Sequence, residues 1–226
     1  MSLSDSRDAE QLSRFFKTGK GTYGESDRFR GIRIPRLRRL TKEFTGVPLA
    51  EISGLLDSPF HEDRLFAILL MVEYYRTGDA TRKEIIYHHY LSNTKRINSW
   101  DLVDLSAHHI VGTHLYSRNR KPLYRLARSS LLWDRRISLI ATFHFIRNND
   151  FADTFKLIGI LTEDSEDLIH KAMGWMLREI GKRDLPSEET FLKEWYAKLP
   201  RTTLRYAIER FPEEKRQEYL RMKRIV

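Results

Sequence analysis

The sequence predicts an all-α protein, and three observations support this class. Apolar residues recur at helical spacing along most of the 226 residues, most densely over residues 60–76. Regular alternation of apolar and polar residues between turn pairs, which would indicate strands, is nearly absent. Finally, the predicted helices fall into pairs that repeat at a nearly constant interval, which is typical of helical solenoids.

The N-terminal part combines one helix with a glycine-rich loop. Residues 6–17 are amphipathic, with Leu12, Phe15 and Phe16 on one side. The loop after this helix contains a literal G-x-G-x-x-G over residues 19–24. A dinucleotide-binding site needs a strand before this motif and a helix directly after it. Because a helix precedes the motif here, a dinucleotide-binding site is not expected. A P-loop is excluded because glycine follows Lys20. We expect a flexible basic loop that can contact phosphate. Its cations are Lys17, Lys20, Arg28, Arg30 and Arg33.

Start and stop residues place the remaining helices. Pro35 and Pro48 suit helix starts and Gly46 separates the two helices, while Asp79 suits an N-cap. Asp150 also suits an N-cap. The predicted helices are residues 35–44, 48–56, 60–76, 79–92, 98–112, 117–129, 132–147, 150–161, 165–181, 187–198, 200–211 and 213–222.

A recurring position supports the repeat interpretation. Each of five residues lies in the first turns of the first helix of a pair: Arg64, Trp100, Arg136, Lys171 and Arg205, spaced 36, 36, 35 and 34 residues apart. In a solenoid, equivalent positions line one surface. Four of the five are cationic, which suits contact with a phosphate backbone. We expect a single solenoid domain over residues 1–226, with residues 1–35 as its N-terminal helix and loop and residues 36–226 as the repeats.

Composition also favours a polyanionic partner. The chain has 40 Lys and Arg against 31 Asp and Glu, for a formal net charge of +9. It contains no cysteine, so disulfides and thiolate metal sites are excluded. We find no signal peptide and no stretch of the ~20 apolar residues that a membrane span needs. The sequence therefore predicts a soluble, cytoplasmic protein that does not associate with membranes.

The segment 98–104 is the strongest candidate for a site. We expect Asn98 to cap a helix and Asp101 to complete the cap. Trp100 and Asp104 are four residues apart, so they share a helical face. Taken alone, the pair is better explained by a core tryptophan with an aspartate at its rim.

Two further motifs carry a family resemblance. Arg136 follows Trp133 at the start of one helix, and residues 174–179 read G-W-M-L-R-E on another. Together with W-x-x-x-D at Trp100 and Asp104, they resemble the AlkD-like DNA alkylation repair glycosylases, which are built of HEAT-like repeats. The resemblance extends from about residue 30 to the C-terminus. It departs from the family at the N-terminus, where the glycine-rich 18–35 loop replaces part of the helices that close over DNA.

The resemblance implies roles for these residues. Asp104 would be the catalytic carboxylate, Trp100 and Trp175 would wall the cleft, and Arg136 would hold a backbone phosphate. The implied function is monofunctional excision of cationic N3- and N7-alkylated purines from double-stranded DNA by hydrolysis. The alternatives are a non-catalytic HEAT-repeat protein that binds damaged or branched DNA and a protein-interaction scaffold.

We expect further DNA contacts from seven cations: Arg64, Lys95, Arg96, Arg135, Lys171, Arg178 and Arg205. No cofactor is expected, and a metal site is not expected because the adjacent histidine pairs cannot face one way on a helix. Trp133 and Trp195 are expected to be core or helix-packing residues. We expect the protein to act as a monomer.

Overall fold

The computed structural model describes residues 4–44 and 46–222, and these confirm the all-α class. Within them no strand forms, and Arg28 and Phe60 make an isolated bridge. The chain divides into two compact units, Met1–Ile110 and Val111–Val226. No helix in the described part of the chain is long and apolar enough to cross a membrane.

The first unit is built around one long helix. Its helices are α1 (Ser6–Phe15), α2 (Ile34–Glu43), α3 (Leu49–Leu56), α4 (His61–Thr77), α5 (Ala80–Ser92) and α6 (Trp100–Asp104). Helix α4 packs against α2, α3, α5 and α6. It is apolar on several faces, and Ile68, Leu70 and Met71 are fully buried. The core of this unit therefore surrounds α4.

The second unit has the same plan around a different helix. Its helices are α7 (Thr113–Leu115), α8 (Lys121–Leu126), α9 (Leu132–Ala141), α10 (Phe143–Arg147), α11 (Ala152–Leu161), α12 (Asp167–Gly181), α13 (Leu185–Trp195), α14 (Arg201–Ala207) and α15 (Glu213–Arg221). Helix α12 packs against α9, α10, α11, α13 and α14. A π-helical turn covers His108–Gly112, and a 3₁₀ turn covers Ile208–Arg210.

Two predicted helices are interrupted, and hydroxyl side chains lie at both interruptions. The predicted helix 98–112 ends early, as α6, at Asp104. The Ser106 hydroxyl there donates to the carbonyl of Leu102 at 2.6 Å. The predicted helix 132–147 divides into α9 and α10 at Thr142, whose hydroxyl donates to the carbonyl of Leu139 at 2.7 Å. Such bonds compete with the backbone pattern of a helix and bend or break it.

The predicted caps have mixed outcomes. Asp79 caps α5, because its carboxylate accepts the backbone N–H of Arg82 at 2.8 Å. Asp150 does not cap α11, which begins after Phe151. The carboxylate of Asp150 instead pairs with Arg120 at 2.7 Å.

The recurring positions lie where the sequence predicts. Each of the five residues falls within the first five residues of its helix, namely α4, α6, α9, α12 or α14. Their environments differ, because Arg64 and Arg136 are buried and Arg205 is exposed. The HEAT-like arrangement of the repeats and the single domain stay predictions.

Candidate active site

Helix α6 carries Trp100 at its first residue and Asp104 at its last, and both side chains are half-buried. Their spacing of four residues places them on one side of this short helix. The predicted cap is wrong, since Ser99 is the N-cap residue and no side chain caps the helix. Trp100 and Asp104 nevertheless share one short helix, as the sequence predicts.

Residues from the N-terminal part of the chain surround Trp100. The indole stacks on Phe16 with a centroid separation of 5.4 Å and an interplanar angle of 15°. Phe15 contacts it edge-on at 5.9 Å. Its Nε1–H donates to the hydroxyl oxygen of Tyr23 at 3.2 Å. One face and the polar edge of the indole are therefore held by residues 15–23.

A buried ionic cluster lies beside α6. Asp101 accepts from Nε2 of His61 at 2.8 Å, while Nδ1 of His61 contacts Asp27 at 3.0 Å. Arg64 completes the cluster by donating to Asp27 at 2.6 Å. Burial alone would lower the pKa of His61, but the hydrogen bonds and charges of Asp101 and Asp27 raise it to about 9. His61 is therefore cationic at neutral pH, and Asp101 serves this cluster rather than a helix cap.

Glu62 anchors the segment that enters α2. Its carboxylate accepts the backbone N–H groups of Arg30, Gly31 and Ile32 at 2.9, 2.8 and 3.2 Å. A cavity of about 520 Å³ lies alongside, between α1 and α4. Apolar side chains line most of this cavity, including those of Leu12, Phe15, Phe16, Phe29, Ile32 and Leu65.

In the second unit, Arg136 lies on α9 and is buried. Its guanidinium donates to the backbone carbonyl of Leu168 at the start of α12. Trp133 is also buried and packs in the core, as predicted. The guanidinium of Arg136 thus helps to join α9 to α12.

Trp175 lies on α12 and is half-buried. Its Nε1–H donates to Oε1 of Glu179 at 3.1 Å, one helical turn further along. Phe143 contacts the ring at 5.9 Å. The preceding Gly174 has a packing role, because a Cβ atom there would overlap the carbonyl oxygen of Thr203 on α14. The G-W-M-L-R-E motif therefore combines close helix packing with an oriented indole.

Most of the predicted DNA contacts are engaged within the protein. Arg64 pairs with Asp27, Arg96 with Asp57, Arg135 with Asp164, Lys171 with Asp167, and Arg178 with Glu209. Arg64 is only 5% exposed, so its burial argues against a phosphate contact. Lys95 and Arg205 are exposed. Phosphate binding by these residues stays a prediction.

Two of the five loop cations behave similarly. Arg30 makes a two-bond pair with Asp63 at 2.9 and 2.8 Å. Arg33 makes another with Asp8 at 2.8 and 2.6 Å, which ties the segment before α2 to α1. These pairs hold the loop against its own unit.

Sequence reasoning missed Phe16, Tyr23 and His61 as neighbours of the site. Tyr23 is 77 residues from Trp100, and His61 is 40 residues from Asp101, so no local spacing connects them. Glu179 could have been found, because a residue four positions after Trp175 faces the same way on a helix. Among residues 4–44 and 46–222, no group of three or more histidine and acidic side chains is arranged to hold a metal ion.

Comparisons with known proteins identify one matching family and one similar fold. The sequence model of one protein family, described as DNA alkylation repair enzyme, matches residues 1–211. No protein of curated function matches the sequence. A solved structure, a predicted DNA alkylation repair enzyme from Enterococcus faecalis, is similar with a TM-score of 0.72 and 20% identity. The match covers 94% of this chain and 99% of the other, and at that identity it shows a shared fold.

Proposed function

This chain belongs to the DNA alkylation repair enzyme family, and from that premise we propose that it is a monofunctional DNA glycosylase. Its substrates would be cationic N3- and N7-alkylated purines in double-stranded DNA, and the reaction would be hydrolysis of the N-glycosidic bond. The observation that carries this proposal is the joint placement of Trp100 and Asp104 on α6, with both side chains half-buried.

The chemistry of the reaction needs a carboxylate of this kind. As the C1′–N bond breaks, its electron pair moves to the departing base and positive charge builds on the sugar. The carboxylate of Asp104 would stabilise that charge and orient a water molecule. The water oxygen then bonds to C1′, and its proton passes to the carboxylate or to solvent.

Indole rings can stabilise the positive charge that develops on the sugar. The face of an indole attracts a cation, and the attraction grows when water is excluded. Trp100 and Trp175 are both half-buried, and a hydrogen bond from Nε1 orients each ring. The family resemblance implies a cleft-wall role for each indole.

The lesion class follows from the leaving group. A purine alkylated at N3 or N7 is already cationic, so it departs as a neutral base without being protonated. A neutral base such as uracil would depart as an anion and would need a general acid. His61 is cationic, but it is 2% exposed and bonded to carboxylates through both nitrogens, so it is poorly placed to donate a proton.

The partner would be duplex DNA. The net charge of +9 favours a polyanion, and exposed cations such as Lys95 and Arg205 could contact phosphates. The phosphate contact implied for Arg136 stays a prediction, because its guanidinium is buried and donates to Leu168.

The proposed function can be tested by measuring which bases the enzyme releases from DNA. Duplexes that carry one 7-methylguanine or one uracil would be incubated with excess enzyme, and the base released from each would be quantified. We expect 7-methylguanine to be released and uracil to stay. Tight duplex binding without release of any alkylated base would favour the non-catalytic alternative, and comparable uracil release would require a general acid that the proposal lacks.

A further inference from the structure

The end of α1 and the first part of the glycine-rich loop, together residues 16–27, are folded into consecutive turns. Backbone N–H groups of Thr22, Glu25 and Asp27 donate to carbonyls three residues earlier, at 3.2, 3.1 and 3.0 Å. The hydroxyl of Thr22 donates to the carbonyl of Gly19 at 2.6 Å and also to that of Lys17. The loop therefore has a defined internal structure.

Two of its glycines are required by this structure. Gly21 has a φ of +77°, in the left-handed region that other residues rarely adopt. Gly24 lies so close to the carbonyl oxygen of Phe16 that a Cβ atom would overlap it. These glycines thus fold the loop back against the end of α1, which explains the G-x-G-x-x-G pattern without a nucleotide.

The folded loop presents two groups to Trp100. The ring of Phe16 stacks on the indole at 5.4 Å, and the hydroxyl oxygen of Tyr23 accepts its Nε1–H at 3.2 Å. Trp100 is the first residue of a five-residue helix, so no preceding helical turn restricts its side chain. The contacts described for its ring, from Phe16 and Tyr23, come from outside α6.

A second connection ties the loop to the same helix. Asp27, at the end of this part of the loop, contacts Nδ1 of His61, and Nε2 of His61 contacts Asp101 on α6. All three side chains are at least nine-tenths buried. The loop is thereby fixed relative to α6 at both Trp100 and Asp101.

We propose that the glycine-rich loop orients the indole of Trp100 for base excision, with Tyr23 and Phe16 as positioning residues. This inference rests on the proposed glycosylase function. A Tyr23 hydroxyl that fixes the ring sets the geometry of the cleft wall without touching the reacting atoms. Losing one hydrogen bond of about 1 kcal/mol should slow the chemical step about fivefold.

The first measurement follows the indole itself. In ¹⁵N-labelled protein, the Nε1–H resonance of Trp100 is identified by its disappearance in Trp100→Phe. We expect Tyr23→Phe to shift this resonance and to speed its exchange with solvent by about fivefold, while the other indole resonances stay in place. Tyr124→Phe, which removes a tyrosine hydroxyl bonded to Asp153 in the second unit, should leave the Trp100 resonance unchanged.

The second measurement follows excision. Tyr23→Phe should slow single-turnover release of 7-methylguanine about fivefold and leave the duplex Kd unchanged. In a Trp100→Phe background the same substitution should have no further effect, because the group that it positions is gone. Phe16→Leu gives a second perturbation of the same indole and should also slow release.

The outcomes separate this inference from the proposed function. An unmoved Trp100 resonance in Tyr23→Phe, or a loss that simply adds to that of Trp100→Phe, would overturn the positioning role while excision by the wild type stands. If the wild type releases no alkylated base, the function fails, and the resonance still decides whether Tyr23 orients Trp100. Thermal unfolding of each variant checks that it is folded.

Discussion

Trp100 in the first unit and Trp175 in the second are oriented in contrasting ways. Trp175 donates to Glu179, four residues along its own helix. Trp100 donates to Tyr23, 77 residues earlier in the chain, and stacks on Phe16. Both indoles are half-buried and both use Nε1–H, but one is held by its own helix and the other by a separate segment.

This contrast shows where in the sequence each orientation is encoded. A partner at i+4 forms as soon as α12 forms, so the orientation of Trp175 is a local property of the sequence. The orientation of Trp100 requires the loop, α4 and α6 to assemble first, because its partners and the His61 cluster are distant in sequence. The orientation of Trp100 should therefore be more sensitive than that of Trp175 to substitutions far from the indole.

The largest expected effect concerns the ionic cluster of the first unit. Asp101→Ala removes one carboxylate from the buried cation His61, and breaking such a pair costs about 3–5 kcal/mol of unfolding free energy. The matched control, Asp57→Ala, removes an exposed carboxylate that pairs with Arg96, and it should cost less than about 1 kcal/mol. Urea denaturation measures both, and equal losses would contradict the importance of the buried cluster.

Stability should also depend on pH through one group in each unit. The folded pKa of His61 is raised to about 9, so its contribution is complete below pH 6.5 and is lost as pH rises through 9. Burial and the charge of Glu189 raise the pKa of Glu188 to about 8. The contribution of Glu188 is therefore complete below pH 4.5 and is lost as pH rises through 8.

Two substitutions distinguish the pH ranges over which His61 and Glu188 affect stability. His61→Gln should flatten the pH dependence of unfolding free energy between pH 6.5 and 9, and Glu188→Gln should flatten it between pH 4.5 and 8. The effect across its window is on the order of 3 kcal/mol for His61 and on the order of 5 kcal/mol for Glu188. Urea denaturation across pH 4–10 measures both effects. If a variant keeps the pH dependence of the wild type, the substituted group does not contribute to that dependence.

Arg136 and Arg64 provide a smaller test, since they recur at the same repeat position in the two units. Arg136→Ala should weaken duplex binding and reduce the slope of log Kd against log salt by about 0.9, one phosphate's worth. Arg64→Met should leave the slope unchanged, because the carboxylate of Asp27 already neutralises the Arg64 guanidinium. An unchanged slope for Arg136→Ala would contradict the predicted phosphate contact of Arg136.

The smallest expected effect is that of Glu179→Gln. The amide oxygen can still accept from Nε1 of Trp175, so the local orientation should survive. We expect excision to change less than about twofold, compared with about fivefold for Tyr23→Phe. Single-turnover release of 7-methylguanine compares the two variants, and a larger effect of Glu179→Gln would reverse the contrast between the indoles.

The sequence predicts most of the fold because helices depend on local patterns. Apolar spacing and residues such as Asp79 place the helices, and each of the five recurring residues falls near the start of a helix. It misses the breaks at Asp104 and Thr142, because Ser106 and Thr142 use their hydroxyls against the helix backbone. Local periodicity does not report that competition.

The candidate site is predictable in its own residues and not in their surroundings. Trp100 and Asp104 on one helix follow from their spacing. Tyr23 and His61 do not, because long-range packing brings them to α6. The buried pairing of Arg64 was missed for the same reason, since its partner Asp27 lies 37 residues earlier in a loop.

The proposed function requires Asp104 to be the carboxylate that drives base excision. Asp104→Asn changes the side-chain volume little, so the variant should fold and bind duplex DNA with a Kd close to that of the wild type. The decisive measurement is single-turnover release of 7-methylguanine by Asp104→Asn and wild type at saturating enzyme. We predict a loss of about 100-fold or more, as expected when a group that stabilises transition-state charge is removed. Release at the wild-type rate would contradict the account.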